Sequence, residues 1–562
     1  MPVVNVRLSS LTKLLPTQPL SEILEKLPYV GLDIEGIDEK EGIVKVEFNP
    51  NRPDFASENG ILRALKGLFE IETGSPKFEG LMESEHNIEI DKSVTKIRPI
   101  IYGLIAKREQ PLSEYEISQL ISMQEDLHNG VGRKRKKASI GIHDLKCIEF
   151  PLNYTTASKD FAFIPLDKQN KFTLQDILSN FDIGKTYSHI LEGHNLLPIL
   201  VDSQNNVLSF PPIINGNTTK VSSNTRSLLI EVTALTTKSA QDILSVIAFE
   251  LKDMGFKIYS IKINSNSESI ISPLLEPLQI TVNTNYINKI LGLDLSNEEL
   301  INCIEKSRIS GKITNYEMEC TVPSYRIDIV NPIDISEEVA IGYGIYRYTA
   351  SSPPNIYQYG KKNINSKIFN NIREILIGLG FIEIINTDII SSKTMDNFFL
   401  NNIEDNLITI NDAQSSEMEV LRNSLNPSIM STLAKNIHEK YPQKLFEIGK
   451  TFKIKNSEIK EEWSLGVAIA HNHADYTQIK SVLESLVKYC FYKKIATPIY
   501  NTSYYINGHS AKILLDEYEI GDIGQIHPQI LENFKLRTLV SIFQINLDKL
   551  MKSLNLNEIK YL

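Results

Sequence analysis

Acidic side chains that could bind a metal ion cluster between Tyr325 and Tyr348. Four candidate ligands lie there: Asp328, Asp334, Glu337 and Glu338. No Lys or Arg between Arg326 and Arg347 balances their charge. Carboxylates this close repel one another unless a cation screens them. Oxygen ligands suit a hard ion, so the cluster predicts Mg²⁺ held by a few carboxylates and water.

The surrounding elements explain how these carboxylates would converge. Residues 326–330 alternate polar and apolar side chains, as in a half-buried strand. Pro332 then breaks regular structure, because it pushes the preceding residue toward extended backbone. Asp334 is expected to cap a helix that begins near Ile335. Positions 334, 337 and 338 would then share its first turn.

Helix capping alone is the competing interpretation. Asp334 and Glu337 have capping-box spacing, and the helix dipole favours acidic residues in a first turn without any ligand. This leaves Asp328 and Glu338 unexplained. The pattern is not a calcium-binding EF-hand loop, which needs alternating Asp or Asn and a central glycine. Mg²⁺ therefore remains the predicted ion, bound by this chain or shared with a partner.

A second chemically distinctive stretch is basic. Five consecutive cations occupy residues 133–137, after a turn that contains Gly130 and Gly132. A patch this dense, in a chain of net charge −10, is what a phosphate backbone would contact. A solvated surface is the alternative. The His143–Asp144 dipeptide that follows is by itself more typical of a structural pair than of a catalytic one.

Composition limits the class of protein. The 562 residues are 42% hydrophobic and 23% charged, which predicts several globular domains. The net charge of −10 argues against a generally basic protein that coats nucleic acid. The four cysteines form no C-x-x-C pair, so neither a zinc module nor a disulfide framework is indicated. The sequence contains no apolar run long enough to predict a membrane-spanning segment, and we expect a cytoplasmic protein.

Turn-rich breaks divide the sequence into four predicted domains: 1–84, 85–268, 276–350 and 360–562. A polar linker is expected at 264–269 and a further boundary at 351–354. The predicted fold class is α+β and multidomain, with mixed and antiparallel sheets. Periodicity predicts strands at 3–8, 42–48, 228–232, 278–282 and 381–390, and helices at 20–27, 59–69, 284–291 and 297–306.

These motifs resemble the phenylalanine–tRNA ligase beta subunit family. PSYRID at 323–328, followed by DISEEVAIGYG at 334–344, is similar to the family's magnesium-site segment. NPNRPD at 49–54 resembles its N-terminal module, and the basic run with IGIHD at 140–144 resembles its editing domain of the archaeal and eukaryotic type. GDIGQIHPQIL at 521–531 is similar to its C-terminal class II synthetase-like domain. The resemblance covers nearly the whole chain in the family's order.

The resemblance implies roles for two sets of residues. The four acidic residues would hold Mg²⁺ near the contact with an alpha subunit. Ser209, Asn215 and Glu231 would line an editing pocket that hydrolyses tyrosine mistakenly joined to the tRNA. Pro211 and Pro212 stiffen the loop between the first two. An acceptor at the pocket floor could hold the tyrosine hydroxyl and would go unpaired with phenylalanine. No Ser–His–Asp or Cys–His arrangement is legible, so a positioned water is the expected attacker.

The resemblance also implies partners. An alpha subunit would join phenylalanine to tRNA with ATP and Mg²⁺, in a heterotetramer of two alpha and two beta chains. The C-terminal domain resembles a degenerate class II copy used for packing, since Glu447-Ile448-Gly449 and the region of Arg537 lack the arginine and glycine pattern that ATP chemistry needs.

Two other functions remain open from the residues. One is a free-standing editing hydrolase, which would have no use for the long C-terminal region. The other is a non-catalytic tRNA-binding scaffold.

Overall fold

The computed structural model describes residues 2–14, 16, 18–78, 80–265, 268–350, 360–400 and 407–554. The chain divides into two compact units, Met1–Ser352 and Pro353–Leu562, each with its own apolar cores. The division into four domains stays a prediction, and its boundary at 351–354 lies outside the described residues. None of the helices in the described ranges combines the length and the apolar character that a bilayer crossing requires.

The first unit begins with a three-stranded antiparallel sheet and three helices. These elements are β1 Val3–Arg7, α1 Leu8–Leu14, α2 Leu20–Lys26, β2 Leu32–Asp38, β3 Ile43–Phe48 and α3 Glu58–Leu68. The strand order is β1-β3-β2. Val44, Val46 and Phe48 are buried on one face of β3, as period-two alternation requires. The predicted strands and helices of this region are confirmed.

A larger sheet follows. Its region contains β4 Asn87–Ile90, β5 Ile100–Lys107, α4 Glu114–Asn129, β6 Ala138–Asp144, β7 Leu152–Ser158, β8 Ala162–Phe163, β9 Phe172–Thr173, α5 Leu174–Asn180, α6 Asp182–Tyr187, β10 Leu196–Val201, β11 Val207–Phe210, β12 Ile214–Asn215, β13 Ser227–Ala234, α7 Thr237–Asp253, β14 Lys257–Ser265 and β15 Glu268–Ser272. Ten strands pair in the order β12-β11-β10-β7-β4-β14-β5-β13-β6, with β15 beside β14.

The linker expected at 264–269 is wrong. β14 and β15 form an antiparallel hairpin in which Ile263 pairs with Ile270. The apolar strand pattern resumes after the polar residues and keeps both strands in the same sheet.

The last part of the first unit is a small module with a three-stranded sheet. It contains β16 Leu278–Asn283, α8 Thr284–Leu291, α9 Asn297–Lys306, β17 Ser310–Thr314, β18 Glu317–Val322 and α10 Pro332–Tyr343. The predicted strand at 278–282 and both predicted helices are confirmed. The strand predicted at 326–330 is wrong, because the chain turns there and the Arg326 amide donates to the Pro323 carbonyl at 2.9 Å.

The second unit is built on a seven-stranded sheet of order β19-β23-β24-β28-β27-β26-β25. Its elements are α11 Ile364–Gly378, β19 Ile382–Glu383, β20 Ile389–Ile390, α12 Ser392–Phe399, β21 Ile408–Thr409, β22 Val420–Leu421, α13 Asn426–Lys435, β23 Gln443–Lys455, β24 Glu458–His471, α14 Tyr476–Phe491, β25 Ile495–Ala496, β26 Tyr505–Leu515, β27 Tyr518–Ile526, α15 Pro528–Asn533, β28 Leu539–Asn546 and α16 Leu547–Ser553. The single strand predicted at 381–390 is instead β19 and β20, because the Asn386 amide between them donates to the Glu447 carboxylate at 3.2 Å.

Candidate functional site

One face of the larger sheet carries buried polar side chains on β6 and β13. In the register of these strands, Glu231 lies opposite Gly141 and Leu229 lies opposite His143. Side chains alternate between the two faces of a strand, so Glu231, Gly141 and His143 share one face. Glu231 is 2% exposed and His143 is 0% exposed. A carboxylate and an imidazole are therefore held together away from solvent.

His143 and Glu231 face each other without a direct hydrogen bond. The distance from His143 Nε2 to Glu231 Oε1 is 3.9 Å, which is too long for one. His143 Nε2 and Glu231 Oε2 are both buried and have no hydrogen-bond partner. Buried polar groups are nearly always paired with protein or ordered water. Two unpaired atoms at one place therefore mark a position for a water molecule or a polar ligand group.

Gly141 provides the space for this pair. A Cβ atom at this position would lie 2.4 Å from Glu231 Oε1 and 2.5 Å from His143 Nε2. Both Gly141 and His143 were missed as site residues by sequence reasoning. The available signal was a glycine between Ile140 and Ile142 in a strand, which often marks a close approach of another group.

Thr219 fixes the His143 ring and connects two distant parts of the sheet. Its Oγ1 lies 2.8 Å from His143 Nδ1. Its carbonyl accepts a hydrogen bond from the Asp144 amide at 2.9 Å. Thr219 follows β12, which begins the strand order, whereas His143 and Asp144 lie on β6, which ends it. The segment that follows β12 therefore contacts β6, at the other end of the strand order.

Ser209 and Asn215 lie at the β11–β12 end of the sheet, where they are cross-strand partners. Ser209 is 2% exposed, and its Oγ is buried without a hydrogen-bond partner. The structure thus brings Ser209 and Asn215 together and places Glu231 beside His143. Their joint lining of one pocket stays a prediction.

A buried guanidinium accompanies this polar face. Arg98 is 1% exposed, and its Nε donates to Thr233 Oγ1 at 2.9 Å. Burial lowers the pKa of Arg98 to about 10, while the charges of Tyr154 and Glu231 act in the opposite direction. The face therefore holds a cation within electrostatic range of the Glu231 carboxylate.

The basic run adopts an unusual backbone. Arg133, Lys134 and Arg135 have φ angles of 51°, 52° and 63°, a left-handed region that costs L-residues energy. Arg135 is 8% exposed, and its Nη1 donates to the Ile213 carbonyl at 2.9 Å. The four remaining cations, 133, 134, 136 and 137, are exposed. One member of the run is therefore structural, and the others are available to an anionic partner.

A second candidate site surrounds Arg326, which is 3% exposed. Its Nε and Nη2 donate to the two oxygens of Asp328 at 3.0 and 2.8 Å. Its Nη1 donates to Glu338 Oε2 at 3.2 Å, and its Nη2 also donates to Glu338 Oε1. The inference that the acidic cluster lacks a cation is wrong. Arg326, at the edge of the cluster, bonds Asp328 and Glu338. The spacing of these residues in the sequence does not predict that contact.

Asp334 has a different position from the predicted one. Helix α10 begins at Pro332 with Asn331 as its N-cap, so Asp334 is the third helical residue. Its Oδ2 accepts hydrogen bonds from the Val330 and Asn331 amides at 2.8 and 2.7 Å. Proline suits the first helical position because its missing N–H has no helical partner there. Asp334 therefore pairs with the two backbone amides just before the helix from a position within its first turn.

Glu337 remains available to a cation. Burial, together with the negative charges of Glu338, Asp328 and Asp334, raises the pKa of Glu337. Within the described residues, no group of three or more His, Cys, Asp or Glu side chains is arranged to hold a metal ion. Arg326 engages both oxygens of Asp328 and of Glu338, so the predicted four-carboxylate set fits a metal only in part. Glu337 and the second oxygen of Asp334 are not engaged by Arg326, and their role as metal ligands stays a prediction.

The N-terminal module contacts the acidic cluster directly. Arg52 donates to both oxygens of Asp54, at 2.9 and 2.8 Å. Arg52 Nε also lies 4.0 Å from Asp328 Oδ2. The NPNRPD turn therefore supplies a second cation to the edge of the cluster.

Known proteins resemble this chain over almost its entire length. Two family models match: the tRNA synthetase B5 domain over residues 280–345 and the phenylalanyl tRNA synthetase beta chain CLM domain over residues 350–547. The phenylalanine–tRNA ligase beta subunit of Archaeoglobus fulgidus is 34% identical over 97% of this chain and 98% of its own length. The chain belongs to the phenylalanine–tRNA ligase beta subunit family.

Other members of the family also match this chain. The beta subunit of Methanocaldococcus jannaschii is 35% identical over 98% of this chain and 100% of its own length. The crystal structure of an N-terminal fragment of the phenylalanyl-tRNA synthetase beta-subunit from Pyrococcus horikoshii superposes with a TM-score of 0.58 at 32% identity. The superposition covers 61% of this chain and 99% of the fragment. Family membership makes the chain a component of an aminoacyl-tRNA ligase, with a mixed α+β, multidomain fold.

Proposed function

We propose that the chain is the beta subunit of a cytoplasmic phenylalanine–tRNA ligase, in which a separate alpha subunit joins phenylalanine to its tRNA with ATP and Mg²⁺. Similarity to beta subunits over 97% and 98% of the chain is the observation that supports this function. The expected assembly contains two alpha and two beta chains. In this assembly the second unit, as a degenerate class II copy, serves packing rather than ATP chemistry.

The test is co-expression with the alpha subunit of a related archaeal enzyme. The purified complex should charge tRNA with phenylalanine, whereas this chain alone should not. Light scattering should give the mass of two alpha and two beta chains. Failure to form a complex with any alpha subunit, combined with tRNA deacylation by this chain alone, would support a free-standing hydrolase instead.

The same proposal includes hydrolysis of mischarged tyrosyl-tRNA at the face formed by β6 and β13. Its support is the pair of unpartnered buried atoms, His143 Nε2 and Glu231 Oε2. The tyrosine hydroxyl would donate to Glu231 Oε2, and Ser209 and Asn215 would hold the other end of the amino acid. Phenylalanine lacks that hydroxyl and would leave the carboxylate unpaired, at a cost of about 1–3 kcal/mol. The site therefore favours tyrosine.

The reaction would be hydrolysis of an ester. A water oxygen bonds to the tyrosine carbonyl carbon, the bond from this carbon to the ribose oxygen breaks, and the ribose oxygen takes up a proton. The products are free tyrosine and uncharged tRNA. The side chains of this face position the amino acid and the water for this step.

Glu231→Gln tests the assignment because it keeps the shape of the side chain and removes its charge. Deacylation of tyrosyl-tRNA by the intact complex should fall about 10- to 100-fold, since a charge-assisted hydrogen bond is weakened. Phenylalanine charging should not change. Glu192→Gln, at an exposed position of the same region, is the matched control. Unchanged deacylation in Glu231→Gln would rule out this pocket.

Mg²⁺ binding at the acidic cluster is the remaining part of the proposal. Asp334 and Glu337 would hold the ion together with water or alpha-subunit groups, while Asp328 and Glu338 stay on Arg326. The double variant Asp334→Asn, Glu337→Gln should weaken Mg²⁺-dependent association with the alpha subunit. Identical association of variant and parent, with and without a chelator, would leave only the capping role.

A further inference from the structure

A cavity of about 420 Å³ opens in the second unit, at one face of its seven-stranded sheet. This volume lies in the range of small-molecule sites. Asp522 on β27 and Gln544 on β28 are cross-strand neighbours at its base. The walls come from the end of α12, the segment that leads into α13, the loop before β26 and one position on β23. Their residues are Phe398, Phe399, Asn423, Ser424, Asn426, Lys453, Tyr500, Asn501, Thr502 and Tyr504.

Two lining residues carry side-chain oxygens that are buried and have no hydrogen-bond partner: Asn423 Oδ1 and Asn426 Oδ1. Asn426 is only 3% exposed. By contrast, Gln544 Oε1 accepts hydrogen bonds from Ser424 Oγ and the Leu425 amide, both at 2.8 Å. The wall segment is thus firmly attached while the side-chain oxygens of Asn423 and Asn426 stay without partners. A wall that served packing alone would be expected to carry apolar or paired side chains here.

Aromatic rings form the apolar part of the cavity. The Tyr504 ring centroid lies 5.5 Å from that of Phe398 and 5.7 Å from that of Phe399. Tyr500 is 38% exposed and lies toward the solvent side. Such a wall accommodates a flat apolar group and attracts a cation over its faces.

Opposite charges are placed at the same cavity. Asp522 accepts a hydrogen bond from the Tyr505 hydroxyl. Burial raises the pKa of Asp522 to about 6, while this hydrogen bond and the positive charge of Lys453 act in the opposite direction. Lys453 is exposed, so its ammonium group is free to meet a ligand at the opening. An anionic group inside and a cationic group outside match a small zwitterion.

We propose that this cavity binds a free α-amino acid with an aromatic side chain. The ammonium group meets Asp522, the carboxylate meets Lys453, and the ring packs on Phe399 and Tyr504. The unpaired amide oxygens of Asn423 and Asn426 accept hydrogen bonds from the ligand. The site lies in the second unit and does not depend on the editing proposal, which concerns the first unit.

Binding of three compounds to the purified full chain tests the proposal. L-phenylalanine should bind saturably at one site. 2-Phenylethylamine, which lacks the carboxylate, and 3-phenylpropionate, which lacks the ammonium group, should each bind at least tenfold more weakly. Equal binding of either analogue and the amino acid would overturn the zwitterion assignment, and no saturable binding of L-phenylalanine would overturn the site.

Single substitutions test where L-phenylalanine binds. Asp522→Asn and Lys453→Met should each weaken L-phenylalanine binding about 10- to 100-fold. Lys455→Met, an exposed lysine two residues along the same strand, and Glu231→Gln in the first unit should bind as the parent does. Loss of binding in Glu231→Gln together with normal binding in Asp522→Asn would assign the amino acid to the larger sheet and refute the proposal.

Asn423→Leu separates binding from folding. It replaces an unsatisfied buried amide with an apolar group, so the variant should melt at the same temperature as the parent or higher. Its affinity for L-phenylalanine should nevertheless fall at least tenfold. A folded variant that binds normally would show that the unpaired amide has no part in a ligand site.

Discussion

At the scale of single residues, both candidate small-molecule sites are marked by buried polar atoms that lack partners. Glu231 and Ser209 carry such atoms in the first unit, and Asn426 does in the second. Residue type and family resemblance singled out Ser209 and Glu231, whose role in a site stays a prediction. They were not enough for His143, because its role depends on the register between β6 and β13, which local sequence does not encode. The missing information is tertiary.

Gly141 offers a sharp test of the space beside Glu231. Gly141→Ala would bring a Cβ to 2.4 Å from Glu231 Oε1, so either the side chains or the strand must move. The free energy of unfolding should fall by about 1–3 kcal/mol, and tyrosyl-tRNA deacylation should fall with it. Gly36→Ala, in strand β2 with nothing within 4 Å, is the matched control. Urea unfolding measures the stability of both variants. Equal stability of Gly141→Ala and Gly36→Ala would contradict this packing.

The raised pKa of Glu337 predicts a pH dependence. A carboxyl group with a higher pKa in the folded chain stabilises the fold fully below its unfolded pKa of about 4.3, and this contribution is lost as pH rises through the folded value. Glu337→Gln should therefore raise the melting temperature at pH 7 but not at pH 4. Glu319→Gln, on an exposed strand position, serves as control. Equal melting of parent and Glu337→Gln at pH 7 would count against the repulsion.

At the scale of elements, periodicity predicted the regular helices and strands but failed where side-chain ion pairs shape the backbone. β13, α8 and α9 were all recognisable from sequence alone. Residues 326–330 alternate like a strand and nevertheless turn, because Arg326 reaches back to Asp328 and Glu338. Polar–apolar alternation reports which side chains are buried, and a tight turn can bury alternate side chains just as a strand does.

The basic run can be divided experimentally into one structural and several exposed cations. Arg135→Met removes hydrogen bonds to Glu125 and to the Ile213 carbonyl, so the free energy of unfolding should fall by about 1–3 kcal/mol. Lys134→Met should change stability by less than about 0.5 kcal/mol and weaken tRNA binding by the complex. Lys171→Met, an exposed lysine outside the run, is the control. Unchanged tRNA binding in Lys134→Met would favour a merely solvated surface.

At the scale of the whole molecule, a single apolar core joins segments of the first unit that are distant in sequence. It includes residues of α3 and α7, together with Tyr325 beside the acidic cluster. The Tyr325 ring centroid lies 4.8 Å from that of Phe249, and Arg63 Cζ lies 4.5 Å from the Tyr325 ring centroid. Such long-range contacts could not be predicted from turn composition, which suggested separate domains.

Tyr325→Ala should disturb all three segments together. Removing a fully packed aromatic ring should lower the free energy of unfolding of the first unit by about 3–5 kcal/mol. Hydrogen exchange should accelerate in α3 and in α7 as well as near residue 325. Tyr316→Ala, whose ring is 65% exposed, should leave exchange in both helices unchanged. Acceleration confined to the mutated segment would show that the core is not cooperative.

Arg326 has a consequence for how the subunit is made. Its guanidinium stays charged throughout the physiological range and acts as a permanent internal counterion for Asp328 and Glu338. The newly synthesised chain can therefore complete this segment in a metal-starved cell. Under the proposed Mg²⁺ role, ion supply would then govern only the later encounter with a partner, and depletion would be reversible without refolding.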